Sequence, residues 1–287
     1  MSAIYRRELK SHFISMIAPA FIAYILFWFG TYTVMINFSY GFSQFEYTVA
    51  NVSFIALLAI PILSMKSFAE DRRSGTEKLL YYLPVKTSSI VAAKYLSALT
   101  VFAIPCAVAA FYPLILARYG TVYLNTALSS LLAFFLVGAA LLAIGIFISS
   151  LTENYMLAAM LGIASIFLIF FIVDLVSLLP GSAAFSFILL LIFALIIALI
   201  AYFLTSSIPV AAGTFGVLAA AVTVFYIVAK DSFAGLALRL FSFLALFERM
   251  DNFFYGKLDV EAIVYFVSVT VFFLFLTGQA VEKKRWN

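Results

Sequence analysis

The chain has 287 residues, of which 66% are hydrophobic and only 10% are charged, and its formal net charge is +4. A water-soluble domain carries roughly 25% charged residues, so this chain has too few polar side chains to cover a surface in water. These numbers exclude a soluble globular protein and predict an all-α integral membrane protein, a polytopic helical bundle in contact with the lipid bilayer. The single cysteine, Cys106, and the single histidine, His12, exclude an internal disulfide and a cysteine- or histidine-based metal cluster. The small net charge predicts no nucleic-acid partner.

Long apolar runs predict the membrane-spanning helices, because every backbone N–H and C=O in hydrocarbon must be paired within its own element. The first run is much longer than the core of a cleaved signal peptide, so we interpret it as a retained span. In chain order the predicted spans, about eight in all, are 16–37, 49–67, 89–117, 124–150, 155–179, 184–205, 208–229 and 260–280. The break between 184–205 and 208–229 is very short, so this pair forms either two full spans or a shallow hairpin.

The distribution of lysine and arginine predicts the orientation. If the N-terminus is cytoplasmic and the spans alternate, twelve of the 17 basic residues fall inside, which agrees with the positive-inside rule. Both chain termini then lie in the cytoplasm, as an even number of spans requires. The apolar stretch before the last span carries Arg239 near its middle, and a charge at that depth costs about 2.5–3.5 kcal/mol. We therefore expect 232–258 to be an interfacial or partly re-entrant segment on the outer face.

The longest predicted cytoplasmic connection, 68–84, differs chemically from the rest of the chain. A dense charge cluster is followed by Gly75, which permits a sharp turn, and by Thr76, which can cap a new helix. Glu77 would lie in the first turn of that helix, leucines at 79, 80 and 83 would form one apolar stripe, and Pro84 would end it. Such a short amphipathic helix suits docking into a groove of a soluble partner. The alternative is a solvated loop whose charge merely fixes the topology.

Several motifs together resemble one family. The run from Phe68 to Leu80 with Pro84 behind it is similar to the first cytoplasmic loop of type-2 ABC exporter permeases, including gliding-motility and copper/nitrous-oxide-reductase maturation permeases. The opening 4–10 is similar to the family's amphipathic N-terminal helix, and 145–154 is similar to the end of its fourth span. The ending 247–259 and the basic tail 284–286 match as well. The family usually has six spans, so the apolar pair at 184–229 departs from its pattern.

The resemblance implies a function and a set of contacts. It implies one transmembrane permease domain over 1–287, with an interfacial helix at 2–14 and a coupling helix within 68–84 that contacts a separate ABC ATPase subunit. It also implies two permeases per transporter, and the second is either another copy of this chain or a paralogue. The residues expected to contact the ATPase are Phe68, Glu70, Asp71, Arg72, Arg73, Gly75, Thr76, Glu77, Leu79 and Leu80.

Other residues carry weaker hypotheses. Asp174 is an acid within an apolar run, which suggests a place on the substrate path, although it also lies close enough to Pro180 to reach the outer headgroup region. Small residues four apart, Gly145 with Ser149 and Ala158 with Gly162, let helices approach closely. They indicate packing within the bundle or, alternatively, a dimer seam.

The chain contains no Gly-x-x-x-x-Gly-Lys-Ser/Thr phosphate loop, so we expect that it is not an enzyme, has no cofactor of its own, and relies on ATP and Mg bound by the partner. The leading hypothesis is a multi-pass permease of an ATP-driven exporter in the cell membrane. The alternatives are an ion-coupled secondary transporter, which would need charges near the bilayer midplane, and a non-transporting membrane scaffold or immunity protein.

Overall fold

The computed structural model describes residues 1–73, 75–76, 85–178, 182–205, 208–228, 233, 235–243 and 245–286. Over these residues the chain is helical, with no strand, which confirms the all-α polytopic membrane class. The chain divides into two compact units, one made of 1–167 with 246–287 and the other of 168–245.

The first unit begins with a helix that precedes the spans. Helix α1 (Ser2–Ile14) is separated from α2 (Ile17–Tyr32) by Met16, whose φ is +59°. The first span continues beyond α2 as a π-helical turn, Thr33–Ser39.

The next helices form the second and third spans. Helix α3 (Glu46–Ser64) is followed, after a break at Met65, by α4 (Lys66–Arg73), and then by α5 (Thr87–Ala109) and the short α6 (Tyr112–Leu116). Pro113, which has no N–H to donate, lies just after the break between α5 and α6.

The remaining helices of the first unit surround its most buried element. Helix α7 (Leu124–Leu151) is the centre of the unit, since 78% of its most apolar stretch is buried. Helix α8 (Tyr155–Ser177) follows it and runs on into the second unit.

Six helices of the described residues are long and apolar enough to cross a membrane: Ile17–Ser39, Glu46–Arg73, Thr87–Leu116, Leu124–Leu151, Tyr155–Ser177 and Val260–Arg285. They correspond to six of the eight predicted spans. The other two predicted spans are helices as well, α9 (Ala183–Thr205) and α10 (Ile208–Val228), which pack against each other in the second unit. Their described apolar stretches are shorter, 183–195 and 212–227, so full crossing by this pair stays a prediction.

The segment predicted to be interfacial or re-entrant, 232–258, consists of short elements. They are α11 (Leu236–Ser242), a 3₁₀ turn (Glu248–Met250) and α12 (Asp251–Phe254), ahead of the last helix, α13 (Val260–Trp286). Within the first unit the part from 246 onward packs on α7: the Phe253 ring is fully buried, and the Ser129 hydroxyl donates to the Phe253 carbonyl at 2.7 Å. These contacts fold the part from 246 onward against α7, and the interfacial or re-entrant position of 232–258 stays a prediction.

Candidate functional site

The charged segment 68–84 lies just after the break between α3 and α4. The hydroxyl of Ser149, on α7, accepts hydrogen bonds from the backbone N–H groups of Phe68 at 3.1 Å and Ala69 at 3.2 Å. The same hydroxyl donates to the carbonyl of Met65 at 2.8 Å. The first N–H groups of a helix have no partner within the helix, so Ser149 caps α4 from a neighbouring span. This fully buried serine ties the base of the segment to the central helix.

Small residues permit this close approach. A Cβ added to Gly145, one turn before Ser149, would collide with the side chain of Ser64. A Cβ on Gly162 of α8 would lie 3.1 Å from Cβ of Pro61, a tight contact. Both predicted small-residue pairs contribute to packing, because Gly145 and Gly162 face α3 of the same chain.

A buried lysine lies beside the start of the segment. Lys94 of α5 is only 1% exposed, and its ammonium is 2.5 Å from the Asp71 carboxylate and 3.1 Å from the Glu8 carboxylate. It also donates to the Ser67 carbonyl and lies 5.1 Å from the centre of the Phe68 ring. Three elements, α1, α4 and α5, therefore meet around one charge.

The charges around Lys94 are balanced. Arg7, which is half exposed, lies 2.6 Å from the Glu8 carboxylate and 3.8 Å from that of Asp71. Among the described residues, two carboxylates thus face two cations. A buried charge without such partners would be costly, so the pairing explains how Lys94 is tolerated inside a span. We name Arg7, Glu8, Asp71 and Lys94 the charge cluster.

His12 belongs to the same end of the bundle. Its side chain is buried, and burial lowers the pKa of His12 below the ordinary value, while Glu8 acts in the opposite direction. The imidazole is therefore neutral around physiological pH. This agrees with a packed histidine at the end of α1.

The two arginines of the segment have different surroundings. Arg72 is partly buried and donates to the carbonyl of Thr152, just beyond α7, at 3.3 Å. Arg73 is exposed, and its guanidinium lies 5.2 Å from the centre of the Tyr155 ring. Glu70 is also exposed and forms an i,i+4 ion pair with Lys66 at 3.5 Å. Helix α4 thus has one face anchored to neighbouring elements, at Arg72, and one exposed face, at Glu70 and Arg73, which we call the open face.

The predicted turn at Gly75 is present, with a φ of +71° that favours glycine. Next to it, the Thr76 hydroxyl lies 2.9 Å from a carboxylate oxygen of Asp71, to which it donates. This contact ties the turn back to the charge cluster. The remaining predicted contact residues, Glu77, Leu79 and Leu80, lie outside the described residues together with the rest of 77–84.

Asp174 lies elsewhere, in the second unit, one turn before the end of α8. Its side chain is exposed, and its backbone carbonyl accepts a hydrogen bond from the Ser177 hydroxyl at 2.7 Å. A place on the substrate path therefore stays a prediction that rests on the sequence.

The sequence patterns used above did not single out Lys94 or Glu8. The signal was present: Lys94 follows four apolar or small residues inside a span, and Glu8 is the only acid among the first 45 residues. An ionisable residue within a span usually has a partner of opposite charge, and Glu8 is a candidate partner for Lys94 on this ground.

One comparison with known proteins finds a match. A family model described as an ABC-2 family transporter protein matches residues 31–184, more than half of the chain. The matched range runs from the end of the first span to the start of α9 and includes α4, Lys94 and Ser149. No curated protein and no solved structure matches the chain significantly.

Proposed function

This chain belongs to the ABC-2 transporter family, and on that premise we propose that it is the permease of an ATP-driven exporter, coupled to a separate ATPase through 68–84. The family and the six apolar helices make it a multi-pass membrane permease subunit of an ABC transporter. The family also implies an ABC ATPase partner. The export direction, the inner position of both termini and the contact residues belong to the proposal.

The observation that supports the coupling most is the contrast between the two faces of the segment. Its base, at Phe68 and Ala69, is buried and hydrogen-bonded to the central helix, and Asp71 is held in the charge cluster. Glu70 and Arg73 are exposed. A force applied to the open face would therefore reach three spans and α1 through short polar contacts.

The anchoring also explains how one short segment can move several helices. Ser149 belongs to α7, Lys94 to α5, and α4 directly continues the second span. A rigid connection of this kind transmits a displacement with little loss, because packed interiors resist deformation. ATP-driven closure of the partner would shift α4, and the attached spans would follow.

The test uses two kinds of variant. We expect Arg73→Glu, on the open face, to lower co-purification of the ATPase from native membranes in mild detergent. The matched control is Arg6→Glu, which makes the same charge change at an exposed position of α1. Mass spectrometry of the pull-down identifies the partner.

A variant at the anchored base separates docking from coupling. Ser149→Ala should keep the ATPase bound but reduce transport per ATP hydrolysed, because the segment then moves without the central helix. If no phosphate-loop ATPase co-purifies with the wild-type chain, or if Arg6→Glu releases it as readily as Arg73→Glu, the proposal is wrong. The secondary-transporter and scaffold hypotheses would then take precedence.

A further inference from the structure

An apolar groove of about 520 Å³ lies in the first unit between α2, α3 and α8. Met16 and Ala20 form one wall, Leu58 and Ile62 a second, and Ile163 the third. Leu58 is 40% exposed and Ile62 44% exposed. This groove thus opens at the surface of a membrane-spanning helix, and its apolar lining suits an apolar chain.

A second cavity, of about 430 Å³, lies at the charged end of the same helices. It is lined by Lys66, Glu70, Arg73 and Tyr155. Lys66 pairs with Glu70 at 3.5 Å, and Arg73 lies over the Tyr155 ring at 5.2 Å. Among the described residues, the lining of this pocket holds two cations and one carboxylate, a net charge of +1 that favours an anionic group.

The groove and the pocket follow one helix face. Leu58, Ile62, Lys66, Glu70 and Arg73 recur every three or four residues, so their side chains lie on the same side of α3 and α4. The rise from the first to the last of them is about 22 Å. This length equals roughly half of a 40–45 Å bilayer, which is one leaflet with its headgroups.

The third wall, formed by α8, also has a polar residue at one end and an apolar residue further along. Helix α8 contributes Tyr155 to the polar pocket and Ile163, two turns further along, to the apolar groove. His12, at the end of α1, lies within electrostatic range of Lys66 and Glu70, while Ser15 already lines the groove. Polar groups thus lie at one end and apolar groups at the other on each of these walls.

We propose that this surface binds one anionic phospholipid, with an acyl chain in the apolar groove and its phosphate at the Lys66 end of the polar pocket. The charge of the pocket selects an anionic headgroup over a zwitterionic one, and the groove selects a lipid over a soluble anion. The bound lipid bridges α4 to α8 and so stabilises this arrangement of the two helices.

Native mass spectrometry of the purified chain tests the proposal. The protein is released from nanodiscs containing equal amounts of phosphatidylglycerol and phosphatidylcholine. We expect one phosphatidylglycerol to be retained per chain in preference to phosphatidylcholine. Lys66→Gln should weaken this retention about fivefold, since a basic residue near an anionic surface contributes about 1 kcal/mol. The matched control, Lys10→Gln, removes an exposed charge from α1 and should leave retention unchanged.

A second pair of variants tests the groove. Ala20→Phe places a ring in the groove from an exposed position and should reduce retention of phosphatidylglycerol. Ala220→Phe makes the same change at an exposed position of α10 and should not. Excess inorganic phosphate should fail to displace the lipid, because it lacks the acyl chain.

The proposal is overturned by equal retention of both lipids, by equal loss in the variants and their controls, or by displacement with inorganic phosphate alone. A dimer of the chain that retains no lipid would assign the groove to a second copy and would also overturn it. The experiment contains no ATPase, so its result is independent of the proposed coupling.

Discussion

Replacing Lys94 with methionine tests the charge cluster most directly. Methionine keeps much of the length and apolar volume of the lysine stem but removes the ammonium. The substitution would leave the carboxylates of Asp71 and Glu8, whose side chains are only 18% and 11% exposed, without their shared cation. We therefore expect a large loss of stability.

The size of the loss follows from the contacts. Removing one partner of a buried ion pair destabilises a protein by about 3–5 kcal/mol. We expect the lower end, about 3 kcal/mol, because Arg7 still contacts both Glu8 at 2.6 Å and Asp71 at 3.8 Å. At about 2–4 °C per kcal/mol, the apparent Tm should fall by roughly 6–12 °C.

The assay is thermal unfolding of the purified variants in one detergent. Lys86→Met is the control, since Lys86 is exposed at the start of the same helix. The triple variant Lys94→Met, Glu8→Gln, Asp71→Asn removes both carboxylate charges as well and should recover most of the lost stability. A Tm that falls by less than about 2 °C in Lys94→Met, or a triple variant no more stable than the single one, would refute the reasoning.

Three further predictions use the same assay. Ser149→Ala leaves two backbone N–H groups of α4 without their cap and should lower the free energy of unfolding by about 1–3 kcal/mol. Ser150→Ala is the control and should cost much less, because the Ser150 hydroxyl donates within its own helix. Equal losses in the two variants would contradict the capping role. Gly145→Ala creates a collision with the facing serine and should lower both yield and Tm, whereas Gly278→Ala, in open space, should be neutral or slightly stabilising. Burial lowers the pKa of His12 below about 6.5, so as the pH falls the unfolded chain binds a proton first and the folded state loses stability below about pH 6.5. His12→Gln should flatten this acid-side loss between about pH 8 and about pH 5, and an unchanged pH profile would argue against a buried neutral imidazole.

The helices themselves were predictable because apolar runs in a bilayer must satisfy their hydrogen bonds locally. The ends of the helices were less predictable. The second span was predicted to end at 67, but the helix continues to Arg73 after the break at Met65. Arginine, glutamate and lysine are good helix formers, so a charged run changes the environment of a helix without ending it. The predicted third span, in contrast, is interrupted before Pro113.

The sequence by itself determined the membrane class, the spans and the unusual segment, because these depend on composition, on runs of apolar residues and on local motifs. Only the tertiary structure decided how the segment is held. Glu8, Asp71 and Lys94 are separated by 63 and 23 positions along the chain, and Ser149 lies about 80 positions beyond the N–H groups that it caps. No local pattern specifies such pairs. They form because the packing of α1, α4, α5 and α7 brings ionic and polar groups into a space without water, where each group must find its partner in another helix.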